Sequence, residues 1–471
     1  MDQAQLETDY LVIGTGASAM AFVDTLLDEQ RDATVLMVDR LDRPGGHWNH
    51  AYPWVRVHQP SAWYGVASRE LASGAKDKVG WNAGLYSMAS GAEVLAHFEQ
   101  VMQQRFLPSG RVRWLPMTDY QEGCDGVHRV RSLAGGQVHT VRVRRKLVDG
   151  THARTQVPAT HAPRYTVAPG LACVPINELA SLTRAYATYT VVGSGKTGID
   201  ACLWLLDHGV APARIRWIMP RDAWFLDRAN FQPGLENFER NMGYSLDQFG
   251  AIIEATSPAD LFARLEAKGV WLRLDPAIEP TTYRCATVSR DELALLRTIG
   301  EVVRLGRLHA IEPTRIVLER GALGADPHTL YVDCSASALQ PQPGLPVFEG
   351  ARINLFMVRF CQPLFSAALI AFVESHIAED SQRNALCGVV PGPEVPRDWM
   401  RMWAVTLANA ARWREHAGLN AWLKGCRLNA QAVIARGVAP EDSARVALLR
   451  QTGLKAAEAA AHLPRLLAQP S

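Results

Sequence analysis

The chain has 471 residues, of which 48% are hydrophobic and 20% charged. At roughly 150 residues per domain, that length holds about three domains with a sizeable core, and the composition excludes a disordered or fibrous chain. The 49 basic and 47 acidic side chains leave a net charge of +2, so no global field steers the protein to nucleic acid or a membrane surface.

From the N-terminus, Met1–Thr8 is polar and lacks the basic-then-apolar pattern of a secretory signal. The apolar run Tyr10–Leu27 is broken by Gly14, Thr15, Gly16, Ser18 and Asp24. No uninterrupted run reaches the ~18 residues of a membrane span. The eight cysteines are scattered without a Cys-x-x-Cys pair, the pattern expected of reduced thiols in a cytoplasmic protein.

Asp9–Ile13 has a buried-strand pattern, Gly14-Thr-Gly16-Ala17-Ser18-Ala19 follows, and Met20–Leu27 continues at helical spacing. The next apolar run, Thr34–Val38, ends at Asp39 and Arg40. Strand, loop, helix, strand and acid together form a dinucleotide fingerprint. Gly14 permits the tight turn, Gly16 lets backbone approach a pyrophosphate, and Ala19 stands where helix packs on strand. The diphosphate would sit on the helix N-terminus, and Asp39 would accept hydrogen bonds from a ribose diol.

The aromatic stretch that follows holds four of the chain's 13 tryptophans, Trp48, Trp54, Trp63 and Trp81. It also holds His47, His50 and His58, but no carboxylate stands at a helpful spacing, so no metal is expected. His128–Leu133 and Val138–Arg144 alternate as a hairpin around Ala134-Gly-Gly136, and Lys146–Gly150 looks like a strand returning to the first sheet. Ser90-Gly-Ala-Glu93, Ser257-Pro-Ala-Asp260 and Ser289-Arg-Asp-Glu292 have the spacing of helix starts.

The fingerprint recurs at Tyr189–Val192, Gly193-Ser194-Gly195-Lys196-Thr197-Gly198, and a helix over Ile199–Leu206. Gly-Lys-Thr imitates a nucleoside-triphosphate loop, but the glycine that loop needs five residues before Gly195 is Thr190. The strand Arg214–Met219 ends at Pro220-Arg221-Asp222. Arg221 suits the 2′-phosphate of NADPH, while Asp222 beside it keeps NADH open. Two loops in one chain suggest one site for FAD and one for a nicotinamide. Val302–Leu305, Thr314–Glu319, Thr329–Asp333 and Ile353–Phe360 read as strands. Gln362-Pro363 opens a helix over Leu364–Glu374. Its N-terminus would face a flavin ring, or else it is an ordinary capped helix.

Gly45-Gly46-His47-Trp48 and Tyr52-Pro-Trp-Val-Arg56-Val-His58-Gln59-Pro-Ser61 resemble the segment after the second strand in class B flavoprotein monooxygenases. These are the flavin-containing and Baeyer–Villiger enzymes. The resemblance takes in both glycine loops and Asp333–Ala336, but not the C-terminal hundred residues. It implies that Gly46, His47 and Trp48 lie along FAD and that the stretch containing Gln59 passes beside the isoalloxazine. Baeyer–Villiger enzymes carry an aspartate where this chain has His58, and the Phe-x-Gly-x-x-x-His linker is absent. Single-component flavin halogenases are a further relative class; they need a lysine, and seven are present.

His58 and Arg56 are the candidate catalytic residues. His58 would donate a hydrogen bond to flavin or substrate or tune proton transfer near neutral pH, or be a structural histidine. Arg56 would balance a negative flavin or bind a carboxylate, or be a salt-bridge partner.

The expected fold is α/β with two Rossmann-like domains. A bipartite FAD domain (1–165 and 331–390) encloses a nicotinamide domain (166–330), and a helical extension (391–471) follows. The implied activity is an NADPH-using monooxygenase that oxygenates a small organic substrate with molecular oxygen through a C4a-peroxyflavin. Flavin halogenase, reductase or oxidase, and FAD-fold binding module are the alternatives.

Overall fold

The computed structural model describes residues 5–71, 73–123, 127–153, 155–336 and 344–470. The start of the polar N-terminus and Cys124 therefore lie outside the described residues.

Consecutive apolar residues at Asp9–Ile13 need burial on both faces, and a parallel sheet supplies it. The strand Gln5–Ile13 sits between Val138–Asp149 and Val35–Val38, parallel to both, and Val112–Leu115 extends the same sheet. The expected hairpin and the expected returning strand are one element. Val138–Asp149 pairs antiparallel with His128–Ser132 through its first half, and runs parallel to Gln5–Ile13 along its length. Helix α1 (Ala17–Glu29) leaves the first loop, and α2 (Gly91–Val101) starts from a complete Ser90/Glu93 capping box.

The second sheet is five-stranded and parallel, in the order Ala172–Pro175, Thr329–Asp333, Thr188–Val192, Ile215–Ile218, Glu301–Val303. Helix α3 (Lys196–Asp207) packs on it. Beyond it a parallel pair, Ala223–Asp227 with Thr282–Val288, is flanked by α4 (Phe238–Glu254), α5 (Pro258–Ala267) and α6 (Arg290–Leu296). Ser257 and Ser289 cap α5 and α6 through the backbone N–H of Asp260 and Glu292. Because Thr329–Asp333 is a strand of this second sheet, the chain crosses back to the first only after Asp333.

The return is made by Phe348–Glu349 and Arg352–Asn354, the latter parallel to Val138–Asp149. The strand expected over Ile353–Phe360 ends at Asn354, and the following backbone takes side-chain partners instead of a ladder. Val358 N donates to Ser366 Oγ and Phe360 N to Thr406 Oγ1, while Asn409 Nδ2 donates to Val358 O. Helix α7 (Pro363–His376) then runs through the first core, with every residue from Leu364 to Glu374 buried. It packs against α1, which explains why it is apolar all round.

After α8 (Asp380–Leu386) come α9 (Pro396–Glu415), α10 (Ala417–Gly425), α11 (Ala430–Arg436) and α12 (Ser443–Leu467). These join both cores. Trp413, Leu419 and Leu423 enter the first, while Trp399, Leu463 and Leu466 pack with Trp224 and Trp271 of the second domain. No helix among the described residues is long and apolar enough to cross a membrane.

One expectation is corrected. Cys285 and Cys361 are joined by a disulfide. Their scatter along the chain carried no information about this, because the crossing back to the first domain brings residues 76 apart together. Cys173, Cys202, Cys334, Cys387 and Cys426 are free.

Candidate functional site

The first glycine loop is shaped by close approach. Gly14 has φ +88 and donates its N–H to Val38 O at 2.8 Å, closing the turn from strand to helix. A Cβ on Gly46 (φ +57) would stand 3.0 Å from Gly16 Cα, so the 45–46 loop rests directly on the first loop. Gly45 N bonds to Thr15 O at 2.9 Å across that contact. Ala19 replaces a third glycine because its partner across the turn is Gly150, where a Cβ would lie 3.0 Å from that of Ala19. Asp39 reaches over the loop: Oδ2 accepts from Thr15 N at 2.6 Å and Thr15 Oγ1 at 2.7 Å, and Oδ1 accepts from Leu41 N. Gly16 caps α1 without a side chain, leaving the helix's first N–H groups open to an anion, and Ala17 and Ser18 form that first turn. Arg40 is turned outward, 3.8 Å from Asp119.

The second loop repeats the design. Gly193 has φ +127, and Trp217 Nε1 donates to its carbonyl at 2.8 Å. A Cβ on Gly198 would collide with that same oxygen. Gly195 caps α3 with open space where a side chain would be, and Ser194 and Thr197 flank it. Lys196 pairs with Asp200 one turn on, and Asp200 also accepts the hydroxyl of Tyr52 from the first domain. Trp54 stacks on Trp204 of α3 at 5.0 Å between ring centres. The aromatic segment thus bridges the two domains beside the second loop.

At the end of Ile215–Ile218, Asp222 is buried and held by Arg304 through two hydrogen bonds of 2.8 and 3.1 Å. Arg221 stays partly exposed, 3.3 Å from Glu394, with Arg284 nearby. The positive charges of Arg221 and Arg307 and its own burial lower the pKa of Arg284 below the usual arginine value.

His47 follows the first glycine loop, and His58 is close enough to Lys196 of the second loop and to Arg228 to feel their charge; both side chains are exposed. Desolvation lowers the pKa of His47 to about 4 and that of His58 to about 3, the latter helped by Lys196 and Arg228. The shift favours the neutral imidazole of His58, whose position beside the second loop leaves it able to donate a hydrogen bond. Arg56 Nη1 donates to Met88 O at 2.8 Å, and its backbone bridges to Ser90 at the start of α2.

Trp48 is buried in the first core and donates to Tyr64 Oη at 2.8 Å. Trp63 instead lines a small cavity with Gln59, Gln362 and Pro363 at the N-terminus of α7. Trp63 Nε1 and Gln362 Oε1 are buried there without partners, and Gln362 caps α7 without a side-chain bond. Among the described residues, no group of three or more His, Cys, Asp or Glu is arranged to hold a metal ion.

No family model matches the chain. Uncharacterized protein Rv2000 of Mycobacterium tuberculosis is 49% identical over 428 residues, covering 90% of this chain and 78% of the relative. Uncharacterized protein Mb2023 of Mycobacterium bovis matches to the same extent. The chain belongs to this mycobacterial protein family. Among solved structures, ε-caprolactone-bound cyclohexanone monooxygenase aligns with TM-score 0.50 at 14% identity, covering 81% of this chain and 88% of that one. A steroid monooxygenase bound to NADP aligns with TM-score 0.49 at 16% identity, over 78% and 85%. The first likeness is one of fold, an α/β chain with two dinucleotide-binding domains.

In this family member the aromatic segment also meets a buried pair that its sequence motifs do not mark. Arg228 and Glu292 are buried and paired at 2.8 Å, and Asn82 bonds to both. Arg228 Nε has no partner. Glu292 was visible only as the third residue of a capping box, and no spacing marks Arg228.

Proposed function

We propose that the protein is an FAD-dependent, NADPH-using monooxygenase acting on a small organic substrate. The observation that carries this reading is the pair of glycine loops, each opening a helix whose N-terminus has no side-chain cap. The first loop fits FAD. Gly46 sits against Gly16 with no room for a side chain, Asp39 stands over the loop, and the orphaned Gln362 Oε1 awaits a donor at the N-terminus of α7. The expected limits go with it (1–165 for FAD, 166–330 for NADPH, 331–390 for the FAD return and 391–471 for the helical extension), with the return moved from 331 to after Asp333.

In this reading the α1 N-terminus holds the pyrophosphate, and Asp39 exchanges Thr15 for ribose hydroxyls. FAD, when bound, supplies hydride acceptance from NADPH and reaction with oxygen. The chain's own residues position the partners. The open α3 end takes the nicotinamide dinucleotide's pyrophosphate, and Arg221 with Arg284 and Arg307 takes a 2′-phosphate, Asp222 being already neutralised by Arg304. His58, its pKa lowered by desolvation and by Lys196 and Arg228, would offer a hydrogen bond beside the nicotinamide loop.

Halogenation is not favoured by the lysines nearest the site. Lys196 is tied to Asp200, and Lys76 to Glu236 at 2.8 Å.

The test is direct. Purified protein should be yellow, oxidise NADPH in air with uptake of oxygen, and place one atom of isotopically labelled oxygen in an organic product. A colourless protein indifferent to NADPH would overturn the proposal in favour of a binding module. Oxygen uptake without label in any product would make it an oxidase.

A further inference from the structure

We propose that Cys285 and Cys361 form a reversible redox site, a covalent tie between the two nucleotide domains that a small dithiol opens. Cys285 lies in the Thr282–Val288 strand, where the pairing steps from Trp224↔Tyr283 to Leu226↔Thr287. Arg284, Cys285 and Ala286 thus oppose Phe225 alone, and the strand bulges at Cys285. Cys361 immediately precedes Gln362, the N-cap of α7. One end of the disulfide therefore belongs to the second domain and the other to the central helix of the first.

The backbone marks both ends. Among the described residues only Met117, Cys285 and Cys361 have positive φ without being glycine, with φ +55 at Cys285 and +49 at Cys361. A Cβ makes this region costly, and such residues persist where surrounding structure enforces them, often at functional sites. Cys361 takes it at the third position of a turn closed by Gln362 N–H to Arg359 O at 3.3 Å, and Cys285 takes it at the strand bulge.

Access and electrostatics single out the same pair. Cys285 and Cys361 are half-buried, while Cys202, Cys334, Cys387 and Cys426 are buried and Cys173 is held beside Tyr165. On attack by a dithiol's thiolate at the Cys285 sulfur, the S–S bond breaks and Cys361 leaves as thiolate at the uncapped N-terminus of the 14-residue α7. The second thiol of the reductant then closes its own disulfide and releases Cys285. Two electrons and two protons pass from dithiol to protein. Opening the tie unlinks Cys361 from the second domain next to Gln362, which faces Gln59 and Trp63 in the cavity, while Ser366 and Thr406 still hold the backbone before it.

The experiment uses the full-length protein, purified in air, with dithiothreitol as probe. Native alkylation followed by peptide mapping should label Cys285 and Cys361 only after reduction, and the unreduced map should contain their cross-linked peptide. Reduction should lower the thermal unfolding midpoint of the wild type by several degrees and leave that of Cys285→Ser/Cys361→Ser unchanged. Alkylation of both cysteines before reduction would overturn the proposal. So would a wild-type midpoint indifferent to dithiothreitol, which is decisive even where the double variant fails to fold.

Discussion

Arg228 Nη1 and Glu292 Oε2 stand 2.8 Å apart with side chains 1% and 8% exposed, an ion pair closed off between the two domains. Arg228 Nη2 also donates to Thr287 O at 3.0 Å, and Ser289 N donates to Glu292 Oε2 at 2.8 Å. Asn82 brings the first domain's aromatic segment to the same pair. Removing one partner strands a buried charge, so Glu292→Ala should destabilise the protein by about 3–5 kcal/mol in denaturant unfolding. Replacing both residues by apolar ones of similar volume, Arg228→Met with Glu292→Leu, should recover much of that loss. A double variant no more stable than Glu292→Ala would show that the backbone bonds matter more than the charges.

Acid should unfold the protein from a higher pH than its carboxylates alone would dictate. His97 is 4% exposed, its pKa is lowered to about 4 by burial, and its Nε2 accepts from Val66 N at 3.3 Å. Its folded pKa is below the unfolded value of 6.5, so only the unfolded chain takes up this proton between the two. Stability is intact above pH 6.5 and falls as the pH drops towards 4, at up to about 1.4 kcal/mol per pH unit for this residue. His47 and His58 shift in the same direction. The pH dependence of unfolding should flatten in this window in His97→Gln.

Local signals carried over from sequence to structure, and encounters between distant segments did not. The Ser90 and Ser289 caps lie three residues from their partners, and Gly14, Gly16, Asp39 and Gly193 belong to single strand–helix–strand units, so spacing alone located them. The Tyr52–Asp200 bond, the Trp54–Trp204 stack and the bonds of Asn82 to Arg228 and Glu292 join segments whose meeting depends on the docking of two domains. His58 shows the same limit in its chemistry. Its position was legible, but its lowered pKa comes from desolvation, Lys196 and Arg228, and neither residue is near it in sequence.

The nicotinamide preference should reside in arginines from three separate strands or loops. Arg221 follows Ile215–Ile218, Arg284 lies in Thr282–Val288, and Arg307 follows Glu301–Val303. Arg284 is held close enough to the other two for their charge to lower its pKa, an arrangement that an incoming phosphate dianion relieves. A charge-assisted bond to phosphate contributes about 1.5–3 kcal/mol, so Arg221→Ala or Arg284→Ala should raise the KM for NADPH about 10–100-fold. The KM for NADH, which lacks the phosphate, should change little. Equal losses with both nucleotides in steady-state assays would place the arginines in structural support only.

Two glycines separate folding from binding at the nucleotide loops. Gly46 has φ +57, and its added Cβ would meet Gly16 Cα at 3.0 Å, a backbone atom that cannot swing aside. Gly46→Ala should therefore destabilise the protein by about 1–2 kcal/mol from the left-handed conformation alone, and lose FAD as the two loops part. Gly195 is extended, with φ −81 and ψ −177, and nothing lies within 4 Å of its added Cβ. Gly195→Ala should leave the melting temperature and FAD content unchanged. Its methyl group would nevertheless project into the space assigned to the second pyrophosphate, weakening NADPH binding at least about 10-fold, or about 1.4 kcal/mol. Isothermal titration with NADPH on both variants reads the difference, and a Gly195→Ala protein that binds NADPH as tightly as wild type would remove the second loop from the binding site.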